Sequence, residues 1–374
     1  MQLIDKKKSI ETIENEDKWE YYKKINNPYE LVYTTSGKFI IPQSLSLIHP
    51  LSRSYFKLIE MFQISNVIND IDRNNIRTGH LCEGPGGFIE ATYHSVDKSR
   101  KKMTNCYAMS LKSTKSHVPG WKRASTFLKK HPEINIIYGS TGTGDILDPI
   151  NQESFIKTAT TDGKLYIVTG DGGFDFTIDY FGQEKGIFPL LVSTAYISLN
   201  TLSIGHGTFI LKIFDTFEEY TQLFIFLLSS CFQKWTLYKP AMSRPCNSEQ
   251  YFIGTKFIGN HNDISRILKI FSSQFFTVYS SQTSENPLIE FDMSIFNTIS
   301  DKIYNIELFN DFKKTLYNLQ EKRLNEQIYS LEVSVEWAQK EHSENEINEL
   351  WKKIYNTSKE YCNVFQIPVI RDGR

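Results

Sequence analysis

The sequence predicts an α/β protein, a mainly parallel sheet with helices on both faces, and three observations carry that prediction. Apolar, strand-like runs alternate with helical patterns through the middle of the chain, with short turns between them. The stretch Leu81 to Ala91, LCEGPGGFIEA, reads as the end of a buried strand, a glycine turn and the first turns of a helix. Two later apolar strands carry charge where such folds place their sites: LYIVTGDGGFDF runs into Asp171, and GTFILKIFDTF holds Lys212.

Residues 1–40 form an N-terminal lead-in, charged at first and then anchored by the apolar NPYELVY. Leu51 to Ile64 has apolar residues at helical spacing, with Tyr55, Ile59 and Phe62 on one side. Strands are expected at Thr78–Cys82, Asn105–Met109, Ile134–Tyr138, Leu165–Thr169, Gly207–Phe214 and Gln250–Thr255. Helices are expected between them, near Phe88–His94, Trp121–Lys130, Pro149–Thr158, Gly186–Ser203 and Phe217–Cys231. These elements make up a domain over residues 41–258. From 259 to 374 the pattern turns helical, with Glu and Lys among Leu, Ile, Phe and Trp, and the segment reads as a helical C-terminal extension.

A chain of 374 residues with 40% hydrophobic content buries a sizeable core. Its net charge of −1 excludes a uniformly basic nucleic-acid binder, yet the charge is unevenly spread. No Asp or Glu occurs from Lys98 to Lys130, where ten Lys and Arg residues fall, and such a segment suits a polyanionic partner. Five cysteines without a CxxC pair or a nearby His cluster argue for a reducing compartment and against a zinc site or disulfide framework. The N-terminus carries no apolar signal segment, and the most apolar run, LFIFLLSSCF from Leu223, is too short to cross a bilayer. A soluble intracellular protein, cytoplasmic or nuclear and without a membrane partner, is the expectation.

Each candidate residue follows from its place. Gly84, Gly86 and Gly87 remove side chains where the backbone bends and a ligand comes close, and Pro85 fixes one φ angle in the turn. Asp171 ends a buried strand and so stands at the carboxyl edge of the sheet, while Asp175 and Asp179 fall in the following loop. A lysine in a buried strand is costly unless paired or deprotonated, which singles out Lys212. Glu249 precedes the last strand, and Lys57 sits in the amphipathic helix beside Phe56. A lysine near two carboxylates and a second cation is expected to have a pKa lowered toward neutrality and to act as a general base.

The ordered set SRSYFKL, CEGPGGF, YAMSLK, GDILD, VTGDGGFDF, GTFILKIFDTF and SRPCNSEQYFIG resembles the FtsJ-like family of S-adenosylmethionine-dependent RNA 2′-O-ribose methyltransferases. Within it the likeness is greatest to the eukaryotic and viral mRNA-cap branch, and YCNVFQIP is similar to that family's C-terminal helix. The resemblance implies a seven-stranded Rossmann-like methyltransferase fold and a catalytic tetrad at Lys57, Asp171, Lys212 and Glu249, with no metal. It implies an S-adenosylmethionine site over Glu83, Gly84, Pro85, Gly86, Gly87 and Phe88, with the methionine end near Asp171. The ribose would lie near Ser110 and Leu111 and the adenine beside Asp145, with Asp148 the second choice. Glu83 departs from the small residue of many relatives, which leaves first- versus second-nucleotide specificity open.

The partner so implied is capped mRNA, together with capping-enzyme or RNA-polymerase components. Lys112, Lys115, Lys122 and Arg123 are candidates for phosphate contact, and Ser243 and Arg244 for contact near the substrate ribose. Tyr33, Trp121 and Phe174 are available to stack on a methylguanine. A methyltransferase of ribosomal or transfer RNA, or an inactive scaffold with the same fold, are the other readings.

Overall fold

The computed structural model describes the chain apart from residues 1–2, 4–6, 8–9, 11–12, 14–15, 36–37, 113–119, 174–181, 260–261, 282–304 and 371–374. Its contacts divide into two units. One comprises Met61–Lys239 and Glu249–Tyr317; the other joins Met1–Glu60, Pro240–Ser248 and Asn318–Arg374.

The first of these units is built on seven strands: β1 (Asn75–Leu81), β2 (Lys102–Met109), β3 (Ile134–Ile137), β4 (Ile167–Gly170), β5 (Thr208–Ile213), β6 (Phe232–Tyr238) and β7 (Gln250–Phe257). They lie in the order β3-β2-β1-β4-β5-β7-β6. β1 pairs in parallel with β2 on one side and β4 on the other, β3 and β5 extend the parallel set, and β7 runs antiparallel to both β5 and β6. The chain therefore builds outward from β1 one way and returns beside it through β4. That reversal opens a crevice at the carboxyl ends of β1 and β4, where α/β sheets bind ligands.

Burial follows from this position. All four residues of β4 are buried, as are five of the six in β5, so apolar side chains are needed on both faces. Phe209, Phe224, Phe252 and Phe257 are fully buried, each contributing about 1.5–3 kcal/mol relative to exposure. Six strands agree with the sequence expectation, and β6 is the one it lacks. Four consecutive β6 residues, Gln233 to Thr236, are exposed, because β6 is the sheet's edge. An edge strand whose exposed run sets Trp235 among Gln233, Lys234 and Thr236 leaves no clean alternating pattern, and Lys234 on it discourages pairing with a second chain.

The helices of this unit begin within α2 (Ser54–Ser65), which crosses the division at Glu60, and continue as the short α3 (Val67–Asp70). Next come α4 (Gly87–Lys98), α5 (Ser125–Lys130), α6 (Pro149–Ala159), α7 (Gln183–Thr201), α8 (Glu219–Ser229) and α9 (Asn262–Ser281). α7 is buried on nearly every side, as an apolar helix under a second layer must be. α9 supplies that layer, with Ser193 and Ser272 hydroxyls 3.1 Å apart and Asn200 donating to Ser265 at 3.1 Å.

The other unit gathers sequence-distant pieces around one apolar core. α1 (Glu16–Ile25) contributes Tyr21, Tyr22 and Ile25, and the turn at Glu30–Val32 contributes Leu31. Ala338 of α10 (Ile306–Gln339) and Trp351 and Ile354 of α11 (Glu344–Val364) complete the cluster. The residues read as a lead-in thus share a core with the last helices. Two buried carboxylates fix the 240–248 loop here. Glu30 receives Arg244 through Nε and Nη2 at 3.3 Å each and pairs with Arg53 at 3.4 Å. Glu60 accepts from the Ala241 amide at 2.7 Å and from the Tyr361 hydroxyl at 2.9 Å.

Candidate active site

The glycine turn leaves β1 at Leu81, whose cross-strand partners are Met109 on β2 and Gly170 on β4. Cys82 takes a left-handed φ of 59° and donates its amide to Met109 at 2.8 Å, which starts the bend. Gly86 has a φ of 106°, a conformation that strains any residue with a side chain. It precedes α4, whose first turn has no side-chain cap, so its amides remain open to an acceptor. Phe88 is fully buried, its ring 5.9 Å from that of Tyr251. A side chain with no solvent-facing surface supports Tyr251, leaving only its backbone for a ligand.

The segment after β3 closes on the end of β2. A Cβ at Gly144 would lie 2.1 Å from the Ser110 carbonyl, so glycine is required for this approach. Ser110 is buried, Leu111 is exposed, and the Lys112 amide donates to Thr143 at 2.7 Å. Burial raises the pKa of Asp145, although its Oδ1 accepts from the Leu147 amide at 2.9 Å. Asp148 is spent as the N-cap of α6, accepting from the Ile150 amide at 2.9 Å. Each carboxylate accepts one backbone amide, but Asp148 is buried where Asp145 is half-buried, so Asp145 is the more accessible of the two to an adenine amine. These residues fit an S-adenosylmethionine molecule, with open amides and a close-approach glycine turn at one end and a half-buried carboxylate at the other.

Three of the four tetrad candidates meet in the sheet unit. Lys212 Nζ donates to the Asp171 carbonyl at 2.8 Å and stands 3.4 Å from Asp171 Oδ1. Burial pulls the lysine pKa down, but the charges of Asp171 and Glu249 outweigh it and raise the pKa above the ordinary value. This corrects the expectation of a lowered pKa: two carboxylates hold an ammonium more strongly than desolvation disfavours it. Gly173 keeps the lysine approachable, since a Cβ there would sit 3.4 Å from Nζ. Glu249 is buried before β7, and the Tyr251 hydroxyl lies 3.3 Å from its Oε1 while donating to Asp171 Oδ1 at 2.8 Å. Lys57 lies on α2 in the other unit, half-buried beside the fully buried Phe56.

Tyr251 and His80 are the residues that sequence reasoning missed. Tyr251 follows Glu249 by two, the spacing of one strand face, and pairs directly with Lys212 across β5 and β7. His80 is buried on β1 against Thr169 and Glu83.

The polyanion candidates are spread more widely. Lys122 and Arg123 are exposed in the turn before α5, and Lys112 Nζ sits 5.4 Å from the Tyr138 ring centroid. Ser243 is buried and Arg244 is engaged by Glu30, so both side chains serve the 240–248 loop within its own unit. Tyr33 packs its ring 5.7 Å from Phe56, and Trp121 is half-buried. Lys115, Phe174, Asp175 and Asp179 lie outside the described residues. Among the described residues no His, Cys, Asp and Glu group is arranged to hold a metal ion, and no helix is long and apolar enough to cross a membrane.

A glycine turn at a switch point, with a lysine–carboxylate cluster on the neighbouring strand ends, is the layout of a nucleotide-cofactor methyltransferase. The chain belongs to the FtsJ-like methyltransferase family, whose model matches residues 50–257. Among curated relatives it is 30% identical to a cap-specific mRNA (nucleoside-2′-O-)-methyltransferase 1 of Trypanosoma brucei brucei, over 48% of this chain and 46% of that one. It is 30% identical to a cap-specific mRNA (nucleoside-2′-O-)-methyltransferase 2 of Danio rerio, over 53% and 27% respectively. With a cap-specific mRNA (nucleoside-2′-O-)-methyltransferase 1 of Dictyostelium discoideum the identity is 26%, over 69% and 34%. The matches thus span less than half the length of each of these relatives.

Proposed function

We propose that this protein transfers a methyl group from S-adenosylmethionine to the ribose 2′-hydroxyl of a cap-proximal nucleotide of capped mRNA. The observation that carries the reading is the Asp171–Lys212–Tyr251–Glu249 cluster beside the glycine turn, in a chain similar to cap-specific 2′-O-methyltransferases of both types. When bound, S-adenosylmethionine supplies an electrophilic methyl group on a sulfonium sulfur. The open amides of α4 would receive its carboxylate end and Asp145 its adenine amine.

The reaction needs a ribose oxygen held at near-attack distance, and most of the acceleration follows from that placement. Lys212, kept cationic by Asp171 and Glu249, donates to the 2′-oxygen and stabilises the negative charge that grows as the hydroxyl gives up its proton to water. Asp171 fixes the ammonium and is itself fixed by Tyr251. Lys57 joins as the fourth member on the strength of the family resemblance. Exposed Lys112, Lys122 and Arg123 are suited to phosphate.

The test is labelled methyl transfer from S-adenosylmethionine to one RNA, with and without an N7-methylguanosine cap, using Lys212→Ala as control. Transfer confined to capped RNA and lost in the variant supports the reading, and nuclease mapping then names the nucleotide. Equal transfer to uncapped RNA overturns the cap assignment and favours a ribosomal or transfer RNA substrate.

A further inference from the structure

β1 carries a second polar cluster, one that the catalytic scheme above does not use. His80 and Glu83 are both buried, three residues apart at the point where the strand gives way to the glycine turn. The Thr169 hydroxyl of β4 donates to Glu83 Oε1, and His80 Nδ1 lies 2.7 Å from the same hydroxyl oxygen. His80 Nε2 lies 3.1 Å from Thr78 Oγ1, and Thr78 directs its own proton at the Met103 sulfur, 3.5 Å away.

The protons can be counted. Thr169 has one, given to Glu83, so the contact between His80 Nδ1 and Thr169 carries its proton on the ring nitrogen. With the Thr78 proton turned toward Met103, the Thr78 oxygen is an acceptor facing Nε2, and a ring that donates there as well satisfies both contacts. Two protonated nitrogens describe an imidazolium, and it faces Glu83 Oε2 at 3.3 Å, an oxygen with no hydrogen bond of its own. Burial disfavours the cation, but Cys106 on β2 and Glu83 beside the ring raise its pKa to about 10. Glu83 is raised by burial, against the pull of His80 and Thr169, with Asp171 adding to the rise. The neighbouring Cys82 thiol, close to Asp145, Glu83 and Lys212, has its pKa pushed up to about 12 by burial and stays neutral.

The geometry has a consequence for the site. His80 pairs in register with Thr169, and Leu81 with Gly170, so the bridge crosses the sheet one rung before the last, two residues short of Asp171 on one strand and at the approach to the glycine turn on the other. Packing leaves little slack there: a Cβ at Gly170 would lie 2.6 Å from Thr194, and one at Gly172 would lie 2.9 Å from Cys82. We propose that His80 is a positioning residue, which through Thr169 and Glu83 locks the glycine turn to the strand end that presents Asp171. Its charge keeps Glu83 ionised, and an ionised Glu83 keeps both hydrogen-bonding arms of the bridge in place. The inference rests on the reading that the glycine turn holds S-adenosylmethionine.

Cofactor binding to the full chain, followed by titration calorimetry from pH 6 to pH 9 without RNA, tests it on the wild type, H80Q, E83Q and the double variant. In H80Q the buried carboxylate has lost its counter-charge and holds a proton further up the pH scale. Its affinity for S-adenosylmethionine is expected to fall about tenfold near neutrality, the effect of one pKa unit, and to recover as pH rises. E83Q and the double variant are expected to bind alike, with no such recovery. Thr169→Val, measured alongside, removes the bridging hydroxyl while keeping the histidine, and is expected to weaken binding at every pH, because ionising Glu83 cannot restore the missing arm. An H80Q protein with wild-type affinity at every pH, or one weakened equally at every pH, overturns the proposal. Should H80Q not fold, a T169V protein with wild-type affinity overturns it equally. A wild-type chain that does not bind S-adenosylmethionine removes the cofactor reading and this inference with it, whereas binding without RNA methylation counts against the proposed substrate alone.

Discussion

The Tyr251 hydroxyl donates to Asp171 Oδ1 at 2.8 Å, joining the antiparallel half of the sheet to the parallel half at the point where Lys212 is held. Burial first, and then the carboxylates of Asp171 and Glu249, raise the tyrosine pKa well above its ordinary value, so the group stays a phenol and a donor. Without that bond Asp171 would keep its lysine but lose the contact that fixes its rotamer.

Tyr251→Phe is therefore expected to leave the fold intact and to slow turnover by about 10- to 100-fold, with little change in the KM for S-adenosylmethionine. Leaving Asp171 one donor short costs about 1–3 kcal/mol of stability. Steady-state kinetics beside a thermal melt separate the two effects. A variant as fast as the wild type would remove Tyr251 from the site.

Glu30 is the next case, because it is a buried carboxylate with two guanidinium partners. Burial alone would raise its pKa, but Arg53 and Arg244 lower it below the ordinary carboxylate value. Its contribution to stability is thus present above the unfolded pKa of about 4.3 and is lost as pH falls through the lower folded value. Glu30→Gln leaves two guanidinium groups without their anion and is expected to cost about 3–5 kcal/mol at neutral pH, read from urea melts. The gap between variant and wild type should close in acid; a constant gap would show that charge is not the cause.

The parts of this molecule legible in its sequence are those where one residue contradicts its surroundings. Glycines after an apolar strand, an aspartate ending one and a lysine inside another each stand out, because burial makes them costly without a reason. Tyr251 and His80 do not stand out: a tyrosine or histidine in an apolar strand reads as core. Their roles come from cross-strand register, Lys212 opposite Tyr251 and His80 opposite Thr169, which no local pattern encodes. The lowered lysine pKa failed for a related reason, since the sequence says which charges exist but not how close they lie. β6 escaped because four consecutive edge residues, Trp235 among them, are exposed and blur the alternation, and the core joining Tyr21 to Trp351 escaped because its pieces are far apart in the chain.

Glu184, at the start of α7, is buried and accepts the Phe217 and Glu218 amides at 3.0 Å each, where α8 begins. Burial raises its pKa to about 7 despite those bonds. A carboxyl whose folded pKa exceeds its unfolded one stabilises the fold most in acid, so this contribution fades as pH rises from about 4.3 to about 7, by on the order of 3 kcal/mol. Glu184→Gln should flatten the stability profile across that interval in chemical denaturation. An unchanged slope would mean that water reaches the carboxyl.

Lys212 decides how the 2′-hydroxyl is activated. A neutral lysine acting as base would give a rate that climbs with pH up to the lysine pKa, about tenfold per unit. An ammonium held by Asp171 and Glu249 gives a plateau from neutrality upward and a decline only as pH passes its raised pKa. The pair's contribution to stability follows the same sign: complete below the unfolded value of about 10.4 and lost as pH rises through the folded one. We expect the plateau in kcat from pH 7 to pH 9.5, and a loss on the order of 10²- to 10³-fold in Lys212→Met at every pH in that range. A wild-type rate that rises tenfold per unit would return the role of base to Lys212. It would also mean that bound substrate and cofactor displace the carboxylates from their hold on the ammonium.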